Sequence, residues 1–199
     1  MCNLYNATTP VKAIADLFGV TLGAGINLPP LTDIYPKMDA PVVRPKEGER
    51  ELSMMRWGFP PPPKGNRPVT NVRNLSSPFW RTWLTNNRCL VPVTAFCEWT
   101  DSRPKEKIWF RLKEAEAFAF AGIWRPFEDE DRTAIEVMAF LTTAPNALVA
   151  PVHAKAMPVI VAPGDYEAWL SAPADEAVKL ARPFPPEAME ICEKPDVPR

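Results

Sequence analysis

Four consecutive prolines occupy positions 60–63, and they belong to a set of twenty-five spread through 199 residues beside only eight glycines. Each proline fixes φ and removes a backbone donor, so a chain punctuated this often can hold only short helices joined by stiff loops. The segment Phe59-Pro60-Pro61-Pro62-Pro63-Lys64-Gly65-Asn66-Arg67-Pro68 is therefore a rigid extended loop. It serves either as a structural connector between two strands or as a proline motif read by another protein.

The stretches between prolines predict mostly strands. Thr9 and Pro10 read as the N-cap and first residue of a helix that runs to Phe18, with Val11, Ile14, Ala15 and Phe18 on one face and Gly19 at its end. Residues 20–40 read as loop. Residues 42–44 and 51–57 predict a hairpin around a charged turn, and residues 69–74 are strand-like, with Asn71 and Arg73 on one face. A short helix over 79–85 precedes residues 89–99, which read as one buried strand. Residues 108–112, 117–124 and 135–143 predict an antiparallel meander, followed by a short helix over 145–149, a turn feeding a strand that ends at Val161, and helices over 165–170 and 174–181. A last strand spans 189–192. The expected fold class is α+β, a curved, mainly antiparallel sheet or open barrel with short peripheral helices, in a single domain over 1–199 with its core at about 2–195.

No run is long enough to span a membrane, and Lys12 and Asp16 interrupt the N-terminal region where a signal sequence would need an apolar stretch, so a cytoplasmic protein is expected. The four cysteines form no C-x-x-C pair and His153 is the only histidine, which argues against a metal site; no cofactor is expected. Cys89 and Cys97 lie in apolar runs and read as core. The net charge of −1 hides an asymmetry. Residues 37–113 carry 15 Lys and Arg against 7 Asp and Glu, whereas residues 114–199 carry 7 against 15. The first half can present a basic face to phosphates, or its charges can simply be dispersed over a solvated surface.

Five residues have chemistry out of keeping with their surroundings. Cys2 follows the initiator methionine, so removal of Met1 would leave an α-amine and a thiol on one residue, a pair suited to capturing an aldehyde as a thiazolidine. Taken alone, Cys2 reads as an accident of a frayed terminus. Glu98 interrupts an apolar strand, where burial would hold a proton on it unless a donor or a buried arginine pairs with it. His153 is a candidate proton carrier at a turn entering a strand, or a structural histidine. Asn71 can orient a reacting group and Arg73 can grip a phosphate, though either could brace a loop.

Met1-Cys2, Trp57-Gly58 before the proline loop, Asn71-Val72-Arg73, Phe96-Cys97-Glu98-Trp99 and His153 with Met157-Pro158 follow one another in an order and spacing that resemble the SOS-response-associated peptidase (SRAP) family over about residues 2–195. The resemblance implies an abasic-site shield. Such a protein binds single-stranded DNA containing abasic sites, crosslinks to it through the N-terminal cysteine, and removes its own leading residue by a cysteine-dependent peptidase activity. It further implies that Cys2 is the nucleophile, that Asn71 orients it, that Glu98 carries protons, that His153 assists ring opening and reversal, and that Arg73 contacts DNA. Trp57 and Lys155 are added as DNA-contact candidates. A monomer associated with the nucleoid during DNA damage is expected. Two departures stand out: Asn3-Leu4 replace the Gly-Arg common after the cysteine, and Ala154-Lys155-Ala156 puts one extra residue before Met157-Pro158. The rival classes are an N-terminal-nucleophile amidase or peptidase with a non-DNA substrate, and a non-catalytic module for single-stranded DNA.

Overall fold

Short apolar runs between the prolines and turns form the strands, and in the computed structural model, which describes residues 2–22, 28–62 and 65–196, these strands make two sheets. Met1, and with it the question of its removal, lies outside the described residues, as do Pro63 and Lys64 of the proline loop.

The first sheet is a barrel. Its five closing strands are β3 (Asp39–Lys46), β4 (Glu49–Trp57), β6 (Arg88–Val93), β9 (Phe118–Glu128) and β10 (Ala134–Thr143), paired in the order β10-β4-β3-β6-β9. The ladder from β9 to β10 then closes the ring, so the curved sheet that the sequence predicts is closed rather than open. Two short strands, β11 (Met157–Pro158) and β12 (Ile160–Val161), extend it at β10 and β9, and β5 (Asn71–Val72) lies against β10. Pairing is antiparallel except where β10 meets β4 and β5. Gly122 is needed in β9, because a Cβ there would stand 2.7 Å from the Cys89 sulfur of β6.

The second sheet runs β13 (Met189–Cys192), β8 (Lys107–Leu112), β7 (Ala95–Trp99), β1 (Tyr5–Ala7) and β2 (Leu31–Ile34). Residues 89–99 are thus two strands. The chain breaks at Thr94, whose hydroxyl accepts the Thr8 and Thr9 amides, and passes from the barrel into the second sheet. The expected meander is corrected in the same way: β9 and β10 pair, but β8 joins β7 and β13. The helix expected over 145–149 is a run of turns in which the Asn146 carboxamide accepts the Leu148 and Val149 amides, an alternative to helix that asparagine favours.

Four short helices are described, α1 (Val11–Phe18), α2 (Arg81–Asn86), α3 (Tyr166–Ser171) and α4 (Ala174–Ala177), none longer than eight residues. Pro10 precedes α1 with extended backbone rather than opening it. No helix among the described residues is long and apolar enough to cross a membrane. The barrel strands feed two cores. One face packs Val43, Leu90, Ala121 and Ala139 against Phe18, Leu84 and Trp169 of the helices. The other packs Val91, Phe120, Met138 and Phe140 against Tyr5, Phe96 and Phe110 of the second sheet, and Cys2 lies in this second core.

Candidate active site

The start of the chain is held by pairing. Tyr5 and Asn6 of β1 face Phe96 and Ala95 of β7, and the Cys97 amide donates to the Leu4 carbonyl at 2.9 Å, so the antiparallel run continues past β1 toward the terminus. This brings Cys2 alongside Glu98. Leu4 turns to the opposite side of the sheet, where it packs with Ala95, Cys97 and Trp109, so the position that carries arginine in the resemblance is here a core residue.

A second clamp comes from the barrel. Asn71 Nδ2 donates to the Cys2 carbonyl at 3.0 Å and to Thr70 Oγ1 at 2.9 Å, which leaves Asn71 Oδ1 buried with no hydrogen-bond partner among the described residues. Thr70 is in turn fixed by the Trp57 indole, whose Nε1 donates to the Thr70 carbonyl at 2.9 Å. Cys2 is thus tied to β7 on one side and to β5 on the other, and it is fully buried. Its thiol donates to the Leu4 carbonyl at 3.5 Å. Burial, and then the charge of Glu98, push that thiol well above its ordinary range.

Glu98 is 2% exposed, and burial pushes its carboxyl up to about 7. At neutral pH it can therefore both give and take a proton. His153 Nδ1 lies 4.0 Å from Glu98 Oε2. The histidine is delivered by the turn after β10, where its amide donates to the Val149 carbonyl, and burial lowers its pKa so that the neutral ring is favoured. Cys2, Asn71, Glu98 and His153, scattered over 152 positions of sequence, are thus assembled at the seam between the two sheets.

Arg73 and Lys155 lie at the rim. One terminal nitrogen of Arg73 donates to the Thr143 carbonyl at 2.7 Å and the Lys155 carbonyl at 3.0 Å, fastening the His153 turn to the end of β10. Both side chains are exposed. Trp57 requires a correction. It is fully buried between Tyr5 and Phe140, so it has no face to offer a base and serves as the prop for Thr70. Thr70 and Tyr5 are site neighbours that the sequence did not mark: a threonine in a strand and a tyrosine in an apolar run look like ordinary structural residues. Among the described residues no group of three or more His, Cys, Asp and Glu side chains converges as metal ligands.

The family model for SOS response associated peptidase (SRAP) matches residues 1–195. Abasic site processing protein YoqW of Bacillus subtilis (strain 168) is 30% identical over 173 residues, 81% of this chain and 77% of its own. A solved structure of a protein from Bacteroides thetaiotaomicron superposes with a TM-score of 0.81 at 21% identity, covering 96% of this chain and 90% of that one. Another, from Bordetella bronchiseptica, gives 0.78 at 21% identity, with 96% and 100% covered. These structures share the fold.

Proposed function

The chain belongs to the SOS response associated peptidase family, and from that premise we propose that it captures abasic sites in single-stranded DNA as a thiazolidine on Cys2. The reading is supported most directly by the Asn71 hydrogen bond to the Cys2 carbonyl, which keeps a terminal residue buried beside Glu98 instead of frayed in solvent. The name of the Bacillus relative points to the same lesion.

The reaction needs the Cys2 nitrogen as an amine, so Met1 must first be removed. The same site is suited to that step: the Cys2 thiol attacks the Met1 carbonyl, the peptide nitrogen takes the thiol proton and leaves as the amine, and water then hydrolyses the thioester to free methionine and restore the thiol. For capture, neutral His153 takes the proton of the C1 hydroxyl as the sugar ring opens to the aldehyde, and the ring oxygen takes one from solvent. The amine adds to C1. Protonated Glu98 gives its proton to the carbinolamine hydroxyl, which departs as water and leaves an iminium. The Cys2 thiol then passes its proton to the Glu98 carboxylate while sulfur bonds to C1 and the C=N electron pair moves onto nitrogen. Aldehyde, amine and thiol become one thiazolidine and one water. Positioned proton transfers of this kind are each worth about 10²–10⁴-fold. Asn71 Oδ1, buried and aligned by the bonds of its own Nδ2, is available to accept a hydrogen bond from the new amine. Arg73 and Lys155 at the rim contact the phosphates, and the protein acts as a monomer on DNA in the cytoplasm.

Incubation of Met1-processed protein with an abasic single-stranded oligonucleotide, followed by a denaturing gel, tests the reading. A heat-stable adduct is expected from the native protein, and none from Cys2→Ala. An equal adduct from Cys2→Ala would refute the cysteine mechanism. Salt-sensitive binding with no denaturant-resistant product would identify a non-catalytic module, and DNA-independent turnover of amides an amidase.

A further inference from the structure

Tyr5 carries the one tyrosine hydroxyl that is buried with no hydrogen-bond partner among the described residues, and its side chain is fully inaccessible. Leaving a hydroxyl unsatisfied in a core is destabilising. The ring cannot relieve this by turning outward, because Trp57, Phe120 and Phe140 hold it edge-on at centroid distances of 5.2, 5.9 and 6.1 Å. Tyr5 shares its core with Cys2, whereas the intervening Leu4 packs on the other side of the sheet.

We infer that Tyr5 is a positioning residue for the Cys2 sulfur, its hydroxyl donating a hydrogen bond to the thiolate as that forms and attacks. This rests on the reading of Cys2 as the nucleophile. The chemistry of the two orphaned atoms divides the work: Asn71 Oδ1 is an acceptor and suits the amine, while the Tyr5 hydroxyl is a donor and suits the sulfur. A donor is needed there, since burial and then the charge of Glu98 on β7 both oppose a negative sulfur. The titratable groups whose charge reaches the Tyr5 hydroxyl are the thiols of Cys2 and of Cys89 on β6; burial first, then their charge, keep the hydroxyl protonated. The tyrosine proton therefore stays on oxygen, and the sulfur's own proton goes to Glu98 as described.

The test is Tyr5→Phe in the full-length, Met1-processed protein, read in two ways. Peptide-resolved mass spectrometry of iodoacetamide labelling against pH reports the Cys2 thiol without DNA, and the rate of adduct formation with abasic single-stranded DNA reports the reaction. Loss of a hydrogen bond to a charged sulfur should move the labelling profile of Cys2 to higher pH and slow adduct formation about tenfold at neutral pH, with thermal stability unchanged or raised. Replacement of tyrosine by the more acidic 3-fluorotyrosine should move the profile the other way, which keeps the inference testable even if Tyr5→Phe folds poorly. Unchanged profiles in both proteins would overturn it. A shifted labelling profile in a protein that forms no adduct would instead uphold Tyr5 and refute the proposed function. A shift seen in Cys89→Ala as large as that in Tyr5→Phe would assign the hydroxyl to Cys89 and also overturn the inference.

Discussion

A carboxyl that titrates near 7 in the fold and near 4.5 in an open chain ties the chemistry of Glu98 to the stability of the protein. Between those two values the folded state holds a proton that the unfolded state has lost, so stability falls as pH rises through this window, and the full penalty is present above it. At about 1.4 kcal/mol per unit the penalty is on the order of 3 kcal/mol. Glu98→Gln should therefore raise the unfolding free energy above pH 7, flatten its slope between about pH 4.5 and 7, and slow adduct formation at least 10²-fold, as checked by urea unfolding at several pH values beside a crosslinking assay. A destabilised Glu98→Gln would show that the carboxylate is stabilising as an anion. Cys2, Asn71, Glu98 and His153 could be marked as candidates in the sequence from their polar or reactive chemistry, but each also had a structural reading, and only the family resemblance joined them into one site. Trp57 was misread for the opposite reason: an indole looks the same in a core and on a nucleic-acid platform, and only burial distinguishes them. Tyr5 was invisible because its hydroxyl matters only through what it fails to meet.

Helices of six residues cannot stand on propensity, and α2 and α3 are held by one side chain. Arg88, 5% exposed at the start of β6, donates to the carbonyls of Leu84 and Thr85 in α2 and of Trp169, Leu170 and Ala172 at α3 and its end. One guanidinium thus satisfies the orphan carbonyls of two helix C-termini and places its charge at the negative ends of both dipoles. Arg88→Met should cost about 3 kcal/mol or more by denaturant unfolding, with the amides of both helices losing hydrogen-exchange protection together; loss confined to one helix would contradict the shared clamp. Nothing in the sequence marks this arginine, since its partners at α3 lie more than eighty residues away. The same distance explains the errors over strands. Residues 89–99 are apolar apart from Thr94 and Glu98, and the step at Thr94 from one sheet to the other depends on Thr8 and Thr9, which reach its hydroxyl only in the fold. Local patterns, the hairpin of β3 and β4 and the ladder of β9 and β10, were readable because their partners are neighbours in sequence.

Across the whole molecule, four arginines of the basic half are paired with carboxylates of the acidic half. Arg44 pairs with Glu136, Arg50 with Glu167, Arg56 with Asp129 and Arg111 with Glu190, each joining the basic half to the acidic one. These arginines fasten the fold and are poor candidates for phosphate contacts. Different cations surround the seam. Lys155 and Lys105 are the basic side chains whose charge reaches His153, one from the turn that carries the histidine and one from the β7–β8 connection, and neither has an ion pair among the described residues. Arg73 stands beside them with part of its guanidinium exposed. If the proposed function holds, a single strand tracks over this rim, and each lost phosphate contact lowers the slope of log affinity against log salt by about 0.7. Lys105→Glu with Lys155→Glu should therefore weaken binding of undamaged single-stranded DNA and reduce the salt slope by about 1.4, measured by fluorescence anisotropy over a salt series, while the melting temperature stays the same. Arg50→Ala should do the reverse, lowering stability and leaving the slope alone. An unchanged slope in the double variant would move the DNA path away from His153.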